Sequence, residues 1–361
     1  MTSSTGGGDV TPPPISPIDP SYRSPGASGA RKRSRSLEPD VRVPAEAARG
    51  YLVARLARDY AAAGRVLSEI RARAPDFTPR TLLDVGSGLG AACWAAQGAW
   101  GRSLQHFVCV EPSQALREVA ERLRHGGGAT PGPAHFGPVF LRPLLPPGPQ
   151  AQWELVIGRH ALGGLRGRGQ RAQALRGLWG RTGGVLVLLE NGTRAGHRAL
   201  MEAREELLQG PDADSVEIFA PCPHRLPCPR LSQGRACAFA QSFWPLPLSG
   251  NPSAPERELV SFLVVRRRGS AVTSPGDPVM SPPDPMTSPL GGWARVTAPV
   301  RPRPRHVSLS LCCPDGAQRR LAVTVARHGR SLYRQARASR WGDLLPFPGE
   351  GGTANGKAER R

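Results

Sequence analysis

The sequence predicts an α/β fold, a parallel sheet with helices on both faces, followed by a small β-rich C-terminal element. Three observations predict it. Short apolar runs alternate with helically spaced segments between Tyr51 and Arg268, and strands that alternate with helices pair in parallel between two helical layers. A strand, a glycine-rich turn, a helix, a second strand and a terminal acid follow one another from Thr81 to Ser113, the order that cradles a nucleotide. Near the C-terminus HVSLSLCC alternates apolar and polar side chains, the mark of a half-buried strand.

Taken in order, residues 1–45 are rich in Pro, Ser and Gly and carry the basic knot RKRSRS (Arg31 to Ser36). They hold too little apolar surface to order a chain, so a solvated tail is expected. Tyr51 to Ala74 places Leu52, Leu56, Tyr60, Val66, Leu67 and Ile70 at helical spacing. TLLDVGSGLGAACWAAQGAW (Thr81 to Trp100) gives a strand, a glycine loop and a helix. HFVCVEPS (His106 to Ser113) gives a second strand, with a helix over Gln114 to Leu123 after it. PVFLRPL, WELVIG and GGVLVLLENG supply three more strands, with a helix over Arg168 to Trp179 before the last. AGHRALMEAREELLQ is a further helix and ELVSFLVVRRR (Glu258 to Arg268) a late strand. The main domain is thus expected over 46–268, including a cysteine loop at 220–239. Residues 269–292 are expected to form a low-complexity linker, 293–346 the C-terminal element and 347–361 a second tail.

Basic residues number 48 against 28 acidic ones, a net charge of +20, and such a field favours a polyanionic partner. Lys32 and Lys357 are the only lysines. Arginine this dominant, beside abundant Ala, Gly and Pro, is what GC-rich coding produces, so no single arginine is assigned a role from composition. No apolar run approaches the roughly 20 residues a bilayer span requires, and a soluble protein without a membrane partner is expected.

Asp84-Val85-Gly86-Ser87-Gly88-Leu89-Gly90 sits at a strand end and opens a helix. Glycines there let the backbone turn tightly and approach a ligand that a Cβ would exclude. Glu111 ends the next strand, placed to accept hydrogen bonds from a ribose diol. LDVGSGLG resembles the first motif of class I S-adenosylmethionine-dependent methyltransferases, a Rossmann-like fold, and CVEPS resembles their second. The cofactor-binding candidates are therefore Asp84, Gly86, Gly88, Gly90 and Glu111. The loop after the fourth strand, IGRHALGGL (Ile157 to Leu165), lacks an Asn-Pro-Pro-Tyr-like acceptor stretch. His160 in it has the chemistry of a base, but a lone loop histidine is more often simply solvated or hydrogen-bonded, and no catalytic residue is assigned.

Cys93 and Cys109 lie in apolar segments and are expected to be small buried hydrophobes. The other five cysteines cluster late. Cys222, Cys228 and Cys237 lie within sixteen residues, two of them followed by proline, in APCPHRLPCPRLSQGRACAF. Thiolates are soft ligands suited to zinc or iron–sulfur clusters, and proline limits the entropy lost when a loop is ligated. His224 is a local candidate for a fourth ligand; Cys312 and Cys313 are distant ones. In HVSLSLCC, Cys313 continues the apolar face and Cys312 the serine face, which leaves Cys312 free to turn towards the loop, with Cys313 second. Spacing does not separate zinc from a four-iron cluster.

FAPCPHRLPCPRL, CAFAQSF, VLVLLENGTRAGHRALMEAR and LCCPDG with ARHGRSLYRQARASRWGDLLP resemble, over about Tyr51 to Pro346, the methyltransferase-like family of mitochondrial small-subunit ribosome-assembly factors. The resemblance implies a class I methyltransferase fold and a 4Fe-4S cluster on Cys222, Cys228, Cys237 and Cys312. It also implies S-adenosylmethionine at the glycine loop and small-subunit mitochondrial rRNA and ribosomal proteins as partners of a chain that is a monomer off the ribosome. The mitochondrial matrix is the implied location, on resemblance alone: the family's longer N-terminal helical part is expected to be missing or replaced by the low-complexity segment, in which no convincing presequence is read. GRHALGGL departs from the Ser- and Glu-containing pattern of the family. Arg301, Arg303, Arg305, Arg330, Arg334 and Arg337 are the expected RNA contacts of an assembly factor that need not be a catalyst; the alternative is a working rRNA methyltransferase with a structural metal site.

Overall fold

The computed structural model describes residues 45–128, 130–145, 152–247, 254–269 and 293–346. Apart from Ala45, both expected tails lie outside the described residues, as does the expected linker apart from Gly269.

The long first helix, α1 (Ala45–Arg73), begins well before Tyr51 because Ala48 is buried against Leu89 and Leu116. It is followed by β1 (Thr81–Val85), α2 (Ala91–Trp100), β2 (His106–Val110), α3 (Gln114–Arg124) and β3 (Val139–Arg142). Then come β4 (Trp153–Arg159), α4 (Arg168–Trp179), β5 (Thr182–Asn191), α5 (Arg194–Gln209) and β6 (Val216–Ala220). A single turn, α6 (Pro229–Ser232), separates β6 from β7 (Phe239–Phe243), and β8 (Glu256–Arg267) closes the domain. The sheet order is β3-β2-β1-β4-β5-β8-β6, with β7 also paired to β8. That order is the class I methyltransferase arrangement, and its reversal between β1 and β4 opens a crevice at the carboxyl ends of those strands.

The sheet is mixed rather than wholly parallel as expected. β8 runs antiparallel to β5, β6 and β7. The connection from β7 to β8 holds no helix among its described residues, and a parallel return needs a crossover. Alternate residues feed two cores. Leu82, Phe107, Leu155, Val187 and Phe262 face α1 and α2, whereas Leu83, Val108, Val156, Leu188 and Leu263 face α4 and α5. Burial on both faces explains why these strands are continuous apolar runs.

The C-terminal element is an antiparallel sheet of β9 (Trp293–Val296), β10 (Arg301–Pro302), β11 (Val307–Cys312), β12 (Gln318–Val323) and β13 (Leu344–Pro346), with α7 (Val325–Ala338) against it. It is not purely β: α7, which the sequence reading missed, holds Gly329 at φ 79° in its interior, a break in the helical backbone, and buries only Ala336. Val307, Leu309, Leu311 and Cys313 form its core with Val296 and Val323.

Candidate cofactor pocket and thiol cluster

The glycine loop leaves β1 with Gly86, Gly88 and Gly90 all at positive φ (74°, 55° and 77°), conformations that an L side chain resists. Gly86 N and Ser87 N both donate to Val110 O, which fastens the loop to the end of β2. The Glu111 carboxylate accepts from Gly88 N (3.0 Å) and from Ser113 N (2.9 Å) and is buried. Beneath the loop, Asp84 is fully buried and accepts from Cys93 Sγ (3.5 Å), while Cys93 and Cys109 touch through sulfur at 3.0 Å. The two thiols are buried as expected. Burial pushes the Asp84 carboxyl up to about 6, more than nearby Arg159 pulls it down.

A cavity of about 490 Å³ opens over this loop, lined by Val85, Gly86, Glu111, Pro112, Leu116 and Leu145 on one side and Arg159, His160, Glu190 and Thr193 on the other. Its size suits a nucleoside-sized ligand. Arg159, the last residue of β4, is 3% exposed. It donates from Nη2 to Gly86 O (3.3 Å) and Ser87 O (3.1 Å) and pairs through Nη1 with Asp59 of α1. Burial alone would lower its affinity for the proton, yet Asp59, Tyr51 and Asp84 outweigh that and hold it charged. A Cβ on Gly88 would meet Arg159 Nη2 at 2.8 Å and Tyr51 Oη at 3.4 Å. His160 is a hydrogen-bonded loop histidine, the second of the two expected states. It stands at φ 53°, with Nε2 2.7 Å from Arg55 Nη2 and Nδ1 3.6 Å from Glu190 Oε2. Glu190 in turn accepts from Leu162 N and Gly163 N.

These residues fit S-adenosylmethionine at one end only. Glu111 keeps lone pairs for a ribose diol, and Pro112, Leu116 and Leu145 offer apolar surface for a base. At the other end the Arg159 guanidinium, a cation, already donates to Gly86 O and Ser87 O, and its charge disfavours a methionine ammonium beside it. Sequence reasoning missed Arg159, Asp59, Arg55 and Glu190, and no signal marked them in a chain whose cations are nearly all arginine.

The cysteine loop leaves the edge of β8 at Ala220 and returns to it at Phe239, where β6 and β7 pair with different halves of that strand. Such a proline-broken excursion has few ladder bonds, so its carbonyls need other donors. Arg295 Nε donates to Pro221 O, buried Arg204 donates to His224 O and Leu226 O, Arg230 Nε donates to Ala236 O, and Ser261 Oγ donates to Cys237 O. Cys228 is the N-cap of α6 with Pro229 at its first position, a placement that needs no proline N–H.

Cys222, Cys228 and Cys237 come together with Cys312 of β11, close enough that each of the three disfavours ionisation of Cys312. Burial first, and then the neighbouring thiols, raises Cys237 and Cys312, and burial pushes Cys222 up to about 11. Cys312 Sγ lies 3.3 Å from His224 Nε2, and Cys228 Sγ 3.7 Å from His197 Nε2. Both imidazoles are held down to about 4, by burial and then by Arg204 for His224 and Arg230 for His197. Cys313 points the other way, into the core of the C-terminal sheet. Among the described residues, the ligand-type groups whose donor atoms lie within 4.8 Å of one another are Asp84, Cys93 and Cys109. The four late thiols do not form such a group. An all-thiol donor set of this kind suits either zinc or an iron–sulfur cluster.

Residues 45–346 match the family described as mitochondrial small ribosomal subunit Rsm22. The human protein named ribosome assembly protein METTL17, mitochondrial, is 42% identical over 301 residues, 82% of this chain and 62% of that protein. The Rsm22-cox11 tandem protein 2, mitochondrial, of Schizosaccharomyces pombe is 28% identical over 330 residues, 83% of this chain and 43% of that protein. The chain therefore spans less than two thirds of the length of either relative. Among solved structures, magnesium protoporphyrin IX methyltransferase (ChlM) of Synechocystis covers 58% of this chain and 83% of its own at 10% identity and a TM-score of 0.37.

Proposed function

We infer the function from one premise: the chain belongs to the mitochondrial small ribosomal subunit Rsm22 family. It acts in mitochondria as an assembly factor of the small ribosomal subunit, and its partners are the rRNA and proteins of that subunit. Family membership over residues 45–346 is the observation that carries this conclusion. The C-terminal element is its RNA-binding face. Residues 293–346 contain eleven arginines against two aspartates. Arg301, Arg303, Arg305, Arg330, Arg334 and Arg337 are all exposed there, and Arg337 Nη1 reaches Arg303 O at 3.5 Å, which joins the α7 and β10 groups. A cationic face of this kind binds phosphates without reading sequence.

Cys222, Cys228, Cys237 and Cys312 hold a 4Fe-4S cluster, which would staple the loop between β6 and β7 to β11. The glycine-loop pocket is a nucleoside site of the S-adenosylmethionine type, with Glu111 at the ribose. The test is sedimentation of a tagged chain from mitochondrial lysate, together with anaerobic purification and iron and sulfide analysis. Co-migration with small-subunit particles and about four irons and four sulfides per chain are expected. A chain that stays at the top of the gradient overturns the assembly role, and a colourless zinc protein overturns the cluster.

A further inference from the structure

Two carbonyls of the glycine loop receive the guanidinium of Arg159: Gly86 O, whose residue lines the cavity beside Arg159, and the buried Ser87 O. That guanidinium is no loose surface group. It is 3% exposed, is anchored by Asp59 of α1, and packs with Tyr51 into the space over Gly88. Asp59 is held in turn by Arg55 Nη2 at 3.1 Å, and Arg55 also binds His160. The methionine end of S-adenosylmethionine brings an ammonium with three donors, and a buried ammonium without acceptors is strongly disfavoured. Here Gly86 O and Ser87 O each already accept from Arg159, and that occupant carries the same charge sign, so an ammonium beside it would be repelled in a site of low dielectric. The ribose end differs. Glu111 uses one lone pair on each oxygen for Gly88 N and Ser113 N, and a carboxylate oxygen has capacity for a further bond.

We propose that Arg159 stands in for the amino-acid half of the cofactor, so that the pocket of this chain selects a nucleoside with a free 2′,3′-diol and a small uncharged 5′ substituent over S-adenosylmethionine itself. This rests on the nucleoside-site reading above. Arg159 is then the specificity-determining residue. The glycines of the loop serve to admit its side chain and that of Tyr51 as much as any ligand.

Isothermal titration of the full chain with S-adenosylmethionine and with 5′-methylthioadenosine, the same thioether nucleoside without the amino acid, tests this directly. Wild type is expected to bind 5′-methylthioadenosine at least as tightly as S-adenosylmethionine. Arg159→Ser is expected to raise the affinity for S-adenosylmethionine tenfold or more while changing that for 5′-methylthioadenosine less than threefold. Because Arg159→Ser leaves Asp59 with Arg55 alone, the double variant Asp59→Asn/Arg159→Ser is titrated beside it, and melting by circular dichroism checks that both are folded. A tenfold preference of wild type for S-adenosylmethionine overturns the proposal. So does weaker S-adenosylmethionine binding in both variants, which would make Arg159 a receptor for the ligand carboxylate. If neither compound binds any of the three proteins, the nucleoside-site reading itself falls.

Discussion

Arg295 of β9 grips Glu69 of α1 with both ends of its guanidinium, Nη2 to Oε1 at 2.6 Å and Nη1 to Oε2 at 3.1 Å. The same side chain donates to Pro221 O at the root of the cysteine loop and to Gly342 O before β13. In the sheet, Arg295 is the cross-strand partner of Cys312. One buried arginine thus joins α1, the thiol loop and the C-terminal sheet. Burial pushes the Glu69 carboxyl up, but Arg295 and Arg73 reverse this and hold it below the usual range.

Breaking this pair is expected to be costly. Arg295→Met leaves a buried carboxylate with Arg73 alone, and loss of one partner of a buried pair costs about 3–5 kcal/mol. Urea denaturation measures it directly. Arg295→Lys is expected to recover little of the loss, because an ammonium does not reproduce the planar fork.

The two adjacent cysteines are expected to separate cleanly. Cys312→Ser should lose iron and melt earlier, because metal-binding free energy is also folding free energy for the region it closes. Cys313→Ala removes a core thiol on the opposite face and should keep full iron at a stability cost of about 1 kcal/mol. Iron and sulfide content with a parallel melt distinguishes them, and equal iron loss in both would assign the fourth ligand wrongly.

Asp84 gives the stability a pH signature. Its carboxyl is raised to about 6 from 3.8, so the folded state binds the proton more tightly than the unfolded chain does. The stabilisation is complete below the unfolded value and is lost as pH rises through the folded one. Between pH 4 and 7 wild type should lose on the order of 3 kcal/mol from this group, a loss that Asp84→Asn avoids. Urea titrations of both proteins at the two ends of that range measure it. A stability difference that does not change with pH would show Asp84 ionised throughout.

The arginine face should reveal itself through salt. Arg303, Arg330 and Arg334 are exposed, so replacing all three by glutamine should leave the melting temperature unchanged. The slope of log affinity for small-subunit rRNA against log salt should become shallower by about 2, near 0.7 per lost contact on single-stranded segments. An unchanged slope would move the RNA surface elsewhere.

Much of this was legible in the residues. Continuous apolar runs announce strands buried on both faces, and β1, β2, β4 and β5 fall where those runs lie. The helix over Arg168 to Trp179 matches α4 residue for residue. The serine and leucine alternation before Cys312 and Cys313 assigns the two thiols to opposite faces, and Cys313 does pack in the core of the C-terminal sheet. β6 and β7 were not legible, because five residues at a sheet edge, two of them partly covered in each strand and one of β7 exposed, carry little periodicity. The direction of β8 was also hidden, since strand sense depends on the connection and not on the strand.

The sequence by itself determined the chemistry available: a glycine turn with an acid beyond it, three thiols on a stiffened loop, a fourth some 75 residues later, and a strongly cationic chain. Which arginines matter was decided only in three dimensions. Arg159 and Arg295 are indistinguishable by composition from the exposed arginines of α7, yet each is buried against a carboxylate of α1, Asp59 for one and Glu69 for the other. The physical reason is that a charge's role depends on what desolvates and pairs it. Both are set by how α1 packs across the sheet and against the C-terminal element, a relationship between segments more than 200 residues apart for Glu69 and Arg295.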